Sequence, residues 1–172
     1  MSPSDPYPQF RDVTEGLRAM GLLSAGEEYA IEKLSGGVSC DVWRVTLGTR
    51  TICVKRALEK LRVSADWHAP AERAATEVAW FRFAASVDAK TVPAILGEDA
   101  QHHMFAMQFF PPDKYPVWKA KLAAGIVDVE FAAKVGAAIA RIHAASAARP
   151  DVLKQFANRE QFHALRIEPY LL

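Results

Sequence analysis

The spacing of apolar residues in this chain changes at Pro111 and Pro112. Upstream of this proline pair, short runs alternate apolar and polar residues with a period of two, which is typical of half-buried β-strands. Downstream, apolar residues recur every three or four positions, which is typical of amphipathic helices. The pattern therefore predicts an α+β protein in which a sheet-containing lobe is followed by a helical lobe.

The sheet-containing lobe is predicted to hold five strands and one helix. Glycines in the first two turns favour an antiparallel meander. Pro93 has no amide hydrogen to donate to a ladder, so the fourth strand is expected at an edge of the sheet. The helix is expected over residues 69–85, with Pro70 in its first turn. The strands are expected at residues 29–34, 40–47, 51–55, 91–97 and 103–110.

Helices are expected before and after these strands. Phe10, Val13, Leu17 and Met20 share one helical face near the start of the chain, and Gly21 is a suitable stop. After the proline pair, helices are expected at residues 118–124, 128–147 and 159–172. The expected domains are an N-terminal extension with a helix, a sheet lobe and the start of a helical lobe, at residues 1–27, 28–111 and 112–172.

Charge and composition exclude several classes of partner. A formal net charge of +1 gives no electrostatic reason to expect nucleic acid or an anionic membrane. No apolar run approaches the ~20 residues that span a bilayer, and the first residues do not resemble a secretory signal. Cys40 and Cys53 are too few for a disulfide framework and favour buried, reduced thiols. We therefore expect a cytoplasmic protein.

The sheet lobe contains a glycine turn and a strand-end lysine, two features that can hold the phosphates of a nucleotide. Gly36 and Gly37 lie between the first two strands, where the absent Cβ lets backbone N–H groups approach phosphate oxygens. Lys55 ends an apolar strand, from which a lysine can reach the α- and β-phosphates. Taken singly, the two features also fit an ordinary hairpin and a solvent-facing lysine.

An anion that would hold this lysine is expected on the following helix. Glu77 lies mid-helix and shares the inward face with Phe81, four residues on. Glu72 lies one turn earlier, where the helix dipole alone favours a carboxylate. We therefore expect Glu77 to pair with Lys55 at about 4 Å, although a lone helical glutamate also fits a solvated face.

The order of these elements resembles the N-terminal lobe of the aminoglycoside phosphotransferase and choline kinase family, which shares the protein-kinase-like fold. The resemblance runs from residue 29 to the end of the chain. A stretch at residues 109–118 is loosely similar to methylthioribose-kinase-like members. The matching segments are the glycine turn, the lysine strand, the glutamate helix, a Val-Pro element and a later helix segment, at residues 34–39, 52–55, 77–81, 92–97 and 139–143.

The resemblance implies ATP and Mg²⁺ as cofactors and phosphoryl transfer to a hydroxyl of a small polar molecule. In such kinases the glycine turn covers the phosphates, the lysine positions them, the glutamate fixes the lysine, and the backbone of the inter-lobe linker binds adenine. Sugar, choline-like, aminoglycoside and macrolide acceptors all stay open. Carried onto this chain, the nucleotide-binding set is Gly36, Gly37, Ser39, Lys55, Glu77, Gln108, Phe109 and Phe110.

The chain departs from the family pattern because it contains no His-Gly-Asp-x-x-x-x-Asn catalytic loop. We expect the catalytic Asp and the Mg²⁺ ligands to lie in sequence beyond residue 172, so that the chain binds nucleotide without transferring phosphate. His143 is expected to be a packing residue and not part of such a loop. The alternative is a non-catalytic nucleotide-binding or interaction module of the pseudokinase type.

A partial helical lobe would leave apolar side chains uncovered. Such a surface is expected to be exposed or to lie in an oligomer contact, which leaves self-association open. The residues concerned are Phe131, Ile139, Phe156, Phe162 and Leu165.

Overall fold

The computed structural model of the protein describes residues 10–35 and 37–171. Five strands form one sheet in the order β1-β2-β3-β5-β4, and every neighbouring pair is antiparallel. The predicted fold class, an α+β protein with a five-stranded antiparallel sheet, is therefore confirmed. The strands are β1 (Tyr29–Lys33), β2 (Cys40–Leu47), β3 (Arg50–Ala57), β4 (Ile95–Asp99) and β5 (Met104–Gln108).

Helices precede and follow the sheet, and in the described part of the chain all regular elements after β5 are helical. Among the described residues, no helix combines the length and the apolar character needed to cross a bilayer. The longest helix begins where Asp128 accepts a hydrogen bond from the amide of Phe131 at 2.8 Å, as an N-cap residue does. The helices are α1 (Arg11–Ala19), α2 (Arg73–Asp88), α3 (Trp118–Ala123), α4 (Val129–Ala147), α5 (Pro150–Gln155), α6 (Arg159–Phe162) and α7 (Glu168–Leu171), with a π-helical turn (His163–Ile167) before α7.

Several boundaries in the sheet lobe differ from the predicted ones, and β5, expected over residues 103–110, ends at Gln108. The helix expected over residues 69–85 is α2, which begins about one turn later, so Pro70 precedes it and does not lie in its first turn. The Arg73 guanidinium donates to the carbonyls of Ala69 and Pro70, at 3.0 and 2.8 Å, which holds this segment in a separate turn. The fourth strand begins after Pro93 and lies at a sheet edge, as expected.

The last helical segment, expected over residues 159–172, is not one regular helix. It consists of α6, the π-helical turn and α7. The indole of Trp67 donates to the carbonyl of Ala164 at 2.6 Å, and Pro169 has no amide hydrogen to give to the preceding turn. Because both features interrupt regular α-helical hydrogen bonding, they account for the wider turn.

The sheet carries a helix on each face. Because successive strand residues point to opposite faces, Val54 packs in the core that includes α1, whereas Lys55 points towards α2. The predicted inward face of α1 is confirmed, so this helix forms part of the core of the lobe. The buried residues of that core are Val13, Leu17, Leu23, Ile31, Trp43, Val45, Leu47, Ile52, Val54, Met104 and Ala106.

The helical segment leaves part of its apolar surface uncovered. Three of the five predicted residues are 43–58% exposed, namely Phe131, Ile139 and Phe162. The prediction was wrong for Phe156 and Leu165, which are half-buried. Phe156 packs on Phe83 of α2, with 6.5 Å between ring centroids, and Leu165 lines a cavity beside α2. His143, expected to be a packing residue, is exposed, although it borders a cavity together with Ile142 and Phe156.

Candidate functional site

Lys55 and Glu77 form an ion pair between the sheet and α2. Lys55 lies near the end of β3, opposite Val42 on β2 and Phe105 on β5. Its Nζ lies 2.5 Å from Oε1 of Glu77 and 6.0 Å from the centroid of the Phe105 ring. The two side chains are 22% and 32% exposed, so the pair is shielded but remains within reach of a ligand. The predicted contact is confirmed, while its role towards a nucleotide stays a prediction.

A cavity of about 590 Å³ opens beside this ion pair. The volume lies in the range of small-molecule sites. Lys55, Glu77 and Ser39 line it, together with the guanidinium-bearing Arg73 of α2. Its wall also includes four aromatic residues, Trp67, Trp80, Phe156 and Tyr170. The cavity therefore combines cationic groups, which suit an anionic ligand, with aromatic surface.

The glycine turn between β1 and β2 borders the same cavity. Gly36 lies outside the described residues, whereas Val38 and Ser39 are part of the cavity lining. A Cβ added to Gly37 would lie 2.3 Å from the carbonyl oxygen of Cys40, closer than side-chain carbons approach a backbone oxygen. Glycine is therefore required at position 37 unless the backbone shifts.

The predicted inter-lobe linker lies away from this cavity. Gln108, Phe109 and Phe110 follow the end of β5 and are absent from the described lining of the cavity. The backbone amide of Gln108 donates to the carbonyl of Ala94 at 2.8 Å, so this amide is already engaged within the protein. The ring of Phe110 packs on Tyr115, with 4.6 Å between centroids. The structure thus brings Ser39, Lys55 and Glu77 together but leaves the linker residues at the other end of the strand.

The family of the chain follows from comparison with known sequences. A profile of the phosphotransferase enzyme family (APH) matches residues 30–170, which is most of the chain. The chain belongs to the phosphotransferase enzyme family. This confirms the resemblance drawn from the glycine turn, the lysine strand and the glutamate helix. No curated protein sequence matches the chain.

Solved structures also resemble this phosphotransferase-family chain. One is a provisionally assigned fructosamine-3-kinase from Thermobifida fusca YX-ER1, with 20% sequence identity and a TM-score of 0.39. The match covers 62% of the present chain and 32% of that chain. The match therefore spans about a third of the length of this structural relative.

Arg73 is a buried residue of the site that the sequence patterns do not reveal. Its side chain carries no carboxylate partner among the described contacts and instead donates to four backbone carbonyls, those of Ala69, Pro70, Ser39 and Leu58. The last two distances are 2.5 and 2.7 Å. One guanidinium thus joins the start of α2 to the glycine turn and to the end of β3. Two of these elements, the glycine turn and α2, border the cavity of this phosphotransferase-family lobe.

Asp41 is a second residue that sequence reasoning missed. It lies on β2, is 2% exposed, and accepts contacts from Lys33 at 2.8 Å, from Arg56 at 3.1 Å and from Arg62. Burial by itself would raise the pKa of this carboxyl, but hydrogen bonds from Lys33, Arg62 and Arg56 and the charge of Arg62 lower the pKa to about 2. An isolated Asp in an alternating strand carries no pattern that would indicate three cationic partners.

The depressed pKa of Asp41 predicts a loss of stability in acid. The pKa falls from an ordinary value of 3.8 to about 2 on folding, so the contribution is complete above about pH 5 and is lost progressively as the pH falls through 3.8 towards 2. It amounts to about 2 kcal/mol. Urea unfolding of wild type and Asp41→Asn between pH 3 and 7 measures it, because their difference should shrink as the pH falls. A difference that stays constant over this range would contradict the assignment, and Asp113→Asn, at an exposed position, serves as control.

Proposed function

We propose that this chain carries the nucleotide-binding part of an ATP-dependent kinase that phosphorylates a hydroxyl of a small polar molecule. The observation that carries the proposal is the Lys55–Glu77 ion pair, which lies 2.5 Å apart beside a cavity bordered by the glycine turn. Membership of the phosphotransferase enzyme family supports the reaction class. An ion pair that leaves its lysine partly exposed towards a cavity suits a ligand with negative charge.

The proposed role of each residue follows from its charge and place. Lys55, oriented by Glu77, would bind the α- and β-phosphates, since an ammonium group held in one direction stabilises phosphate charge without reorganising. The backbone of Gly36, Gly37 and Ser39 would cover the phosphates. The hydroxyl oxygen of the acceptor would attack the γ-phosphorus, the bond to the β-phosphate oxygen would break, and ADP would leave.

Mg²⁺ belongs to the same proposal as the ion that neutralises the phosphate charge. In residues 10–35 and 37–171, no three His, Cys, Asp or Glu side chains lie close enough together to hold a metal ion. We therefore assign no ion ligand to a residue of this chain, and, because the sequence contains no His-Gly-Asp-x-x-x-x-Asn loop, no acceptor of the hydroxyl proton.

The adenine would lie near the linker after β5. In the β3–β5 ladder Ile52 lies opposite Gln108, and Lys55 follows three residues later on β3. This spacing separates the linker from the lysine by about 10 Å along the strand. Because the amide of Gln108 is engaged with Ala94, we assign the adenine contacts to the backbone of Phe109 and Phe110 rather than to the Gln108 amide. The reduced cysteines Cys40 and Cys53 favour the cytoplasm as the site of action.

Calorimetric titration of the 172-residue chain tests the proposal. We expect ATP with Mg²⁺ to bind roughly tenfold more tightly than adenosine, because only ATP can contact Lys55. Inorganic triphosphate serves as a control for charge without the base and should bind more weakly than ATP. If adenosine binds as tightly as ATP, or if neither binds, the assignment of Lys55 and the glycine turn to a nucleotide is wrong.

A further inference from the structure

The carbonyl groups of residues 37–39 in the glycine turn accept hydrogen bonds from a single neighbouring segment. The connector between β3 and α2 (residues 58–72) approaches the turn here. The backbone amides of Arg62 and Leu58 donate to the carbonyls of Val38 and Ser39, at 2.9 and 3.0 Å. The guanidinium of Arg62 also reaches the carbonyl of Gly37 at 3.5 Å. Three consecutive carbonyls of the turn therefore point towards the connector.

This arrangement fixes the direction of the amides as well. In a planar trans peptide the carbonyl and the following N–H point in opposite directions, and the described chain has no cis bonds. The amides of Val38 and Ser39 therefore point away from the connector. Within the described residues, neither amide donates a hydrogen bond to a protein acceptor. Unused amides on successive turn residues are the groups with which a backbone binds an anion.

Asp41 holds the guanidinium that reaches the turn. Its buried carboxylate contacts Arg62 directly and is itself held by Lys33 from β1 and by Arg56, its register partner on β3. Arg62 is 43% exposed, so this ion pair should add little to global stability. The pair can act locally on the turn, because it connects the buried carboxylate of Asp41 on β2 to the carbonyl of Gly37.

We propose that Asp41 and Arg62 are positioning residues for the glycine turn. They hold its carbonyls on the connector and so present the amides of Val38 and Ser39 to the phosphates of a nucleotide. The nucleotide part of this inference rests on the proposed function, whereas the ordering of the turn does not. Neither residue touches the nucleotide in this arrangement.

The test compares Arg62→Met with Arg44→Met. Arg44, on β2, is a matched control because it too pairs with a carboxylate, that of Glu32, and is 47% exposed, but has no described contact with the turn. In Arg62→Met we expect the ¹⁵N order parameters of residues 37–39 to fall from about 0.85 to below about 0.6, with the urea midpoint close to that of wild type. ATP affinity should fall about tenfold, while adenosine affinity stays unchanged. Arg44→Met should show none of these changes.

Two further variants keep the test decisive. Arg62→Lys retains a charge for Asp41 and should restore part of the order of the turn, and Asp41→Asn should reproduce the loss if Arg62→Met does not fold. Unchanged order parameters in both Arg62→Met and Asp41→Asn, or an equal fall in Arg44→Met, would overturn the proposal. If wild type binds no ATP, the proposed function fails, and the order parameters still decide whether Asp41 and Arg62 position the turn.

Discussion

Replacing Lys55 by methionine is expected to weaken ATP binding by roughly 10- to 100-fold. The methionine keeps an apolar stem near the Phe105 ring but removes the ammonium group that would contact the phosphates. A hydrogen bond to a charged group contributes ~1.5–3 kcal/mol, which corresponds to this range. The carboxylate of Glu77 would lose its partner and would then repel the phosphates. Calorimetric titration with ATP and Mg²⁺ measures the change.

Two other variants separate this effect from a general loss of charge. Lys60→Met removes a lysine that is 62% exposed and pairs with Asp66 in the connector, and it should leave ATP affinity unchanged. Glu77→Gln keeps the lysine but releases it, so we expect a smaller loss than for Lys55→Met. If Lys55→Met binds ATP as wild type does, the lysine does not contact the phosphates and the proposed function loses its main support.

Replacing Arg73 by methionine is expected to lower the free energy of unfolding by roughly 3–5 kcal/mol. Methionine fills much of the same volume but leaves four carbonyls without the guanidinium that now serves them. Hydrogen bonds to charged groups contribute ~1.5–3 kcal/mol each. Three of the four are only partly buried, so water replaces about half of them, and the loss corresponds to roughly two bonds. Urea unfolding followed by circular dichroism measures the loss.

Arg82→Met is the matched control for Arg73→Met. Arg82 lies on the same helix, is 56% exposed and pairs with Glu98 at 2.8 Å. Because exposed pairs contribute little, its loss should change the free energy of unfolding by less than about 1 kcal/mol. Equal losses in the free energy of unfolding would contradict the expectation that the buried hydrogen bonds of Arg73 stabilise the protein more than an exposed ion pair does.

The elements of the sheet and the Lys55–Glu77 contact could be predicted because their signals are local. Period-two alternation and short apolar runs between turn residues indicated the five strands, and Phe81 showed which side of α2 Glu77 occupies. The predicted helix boundaries were less accurate where a contact with a distant part of the chain decides where the helix begins or widens. α2 begins late because Arg73 uses the carbonyls before it, and the last helix widens where Trp67 takes the carbonyl of Ala164.

The sequence by itself determined the order of strands and helices, the antiparallel sheet and the lysine–glutamate pair, since side-chain period and turn residues act over a few positions. Only the tertiary structure decided which buried charges hold the site. Asp41 gathers cations from β1, β3 and the connector, and Arg73 gathers carbonyls from the glycine turn and β3. A buried charged group takes whichever partners the fold brings within hydrogen-bond distance, and those partners lie far away along the chain.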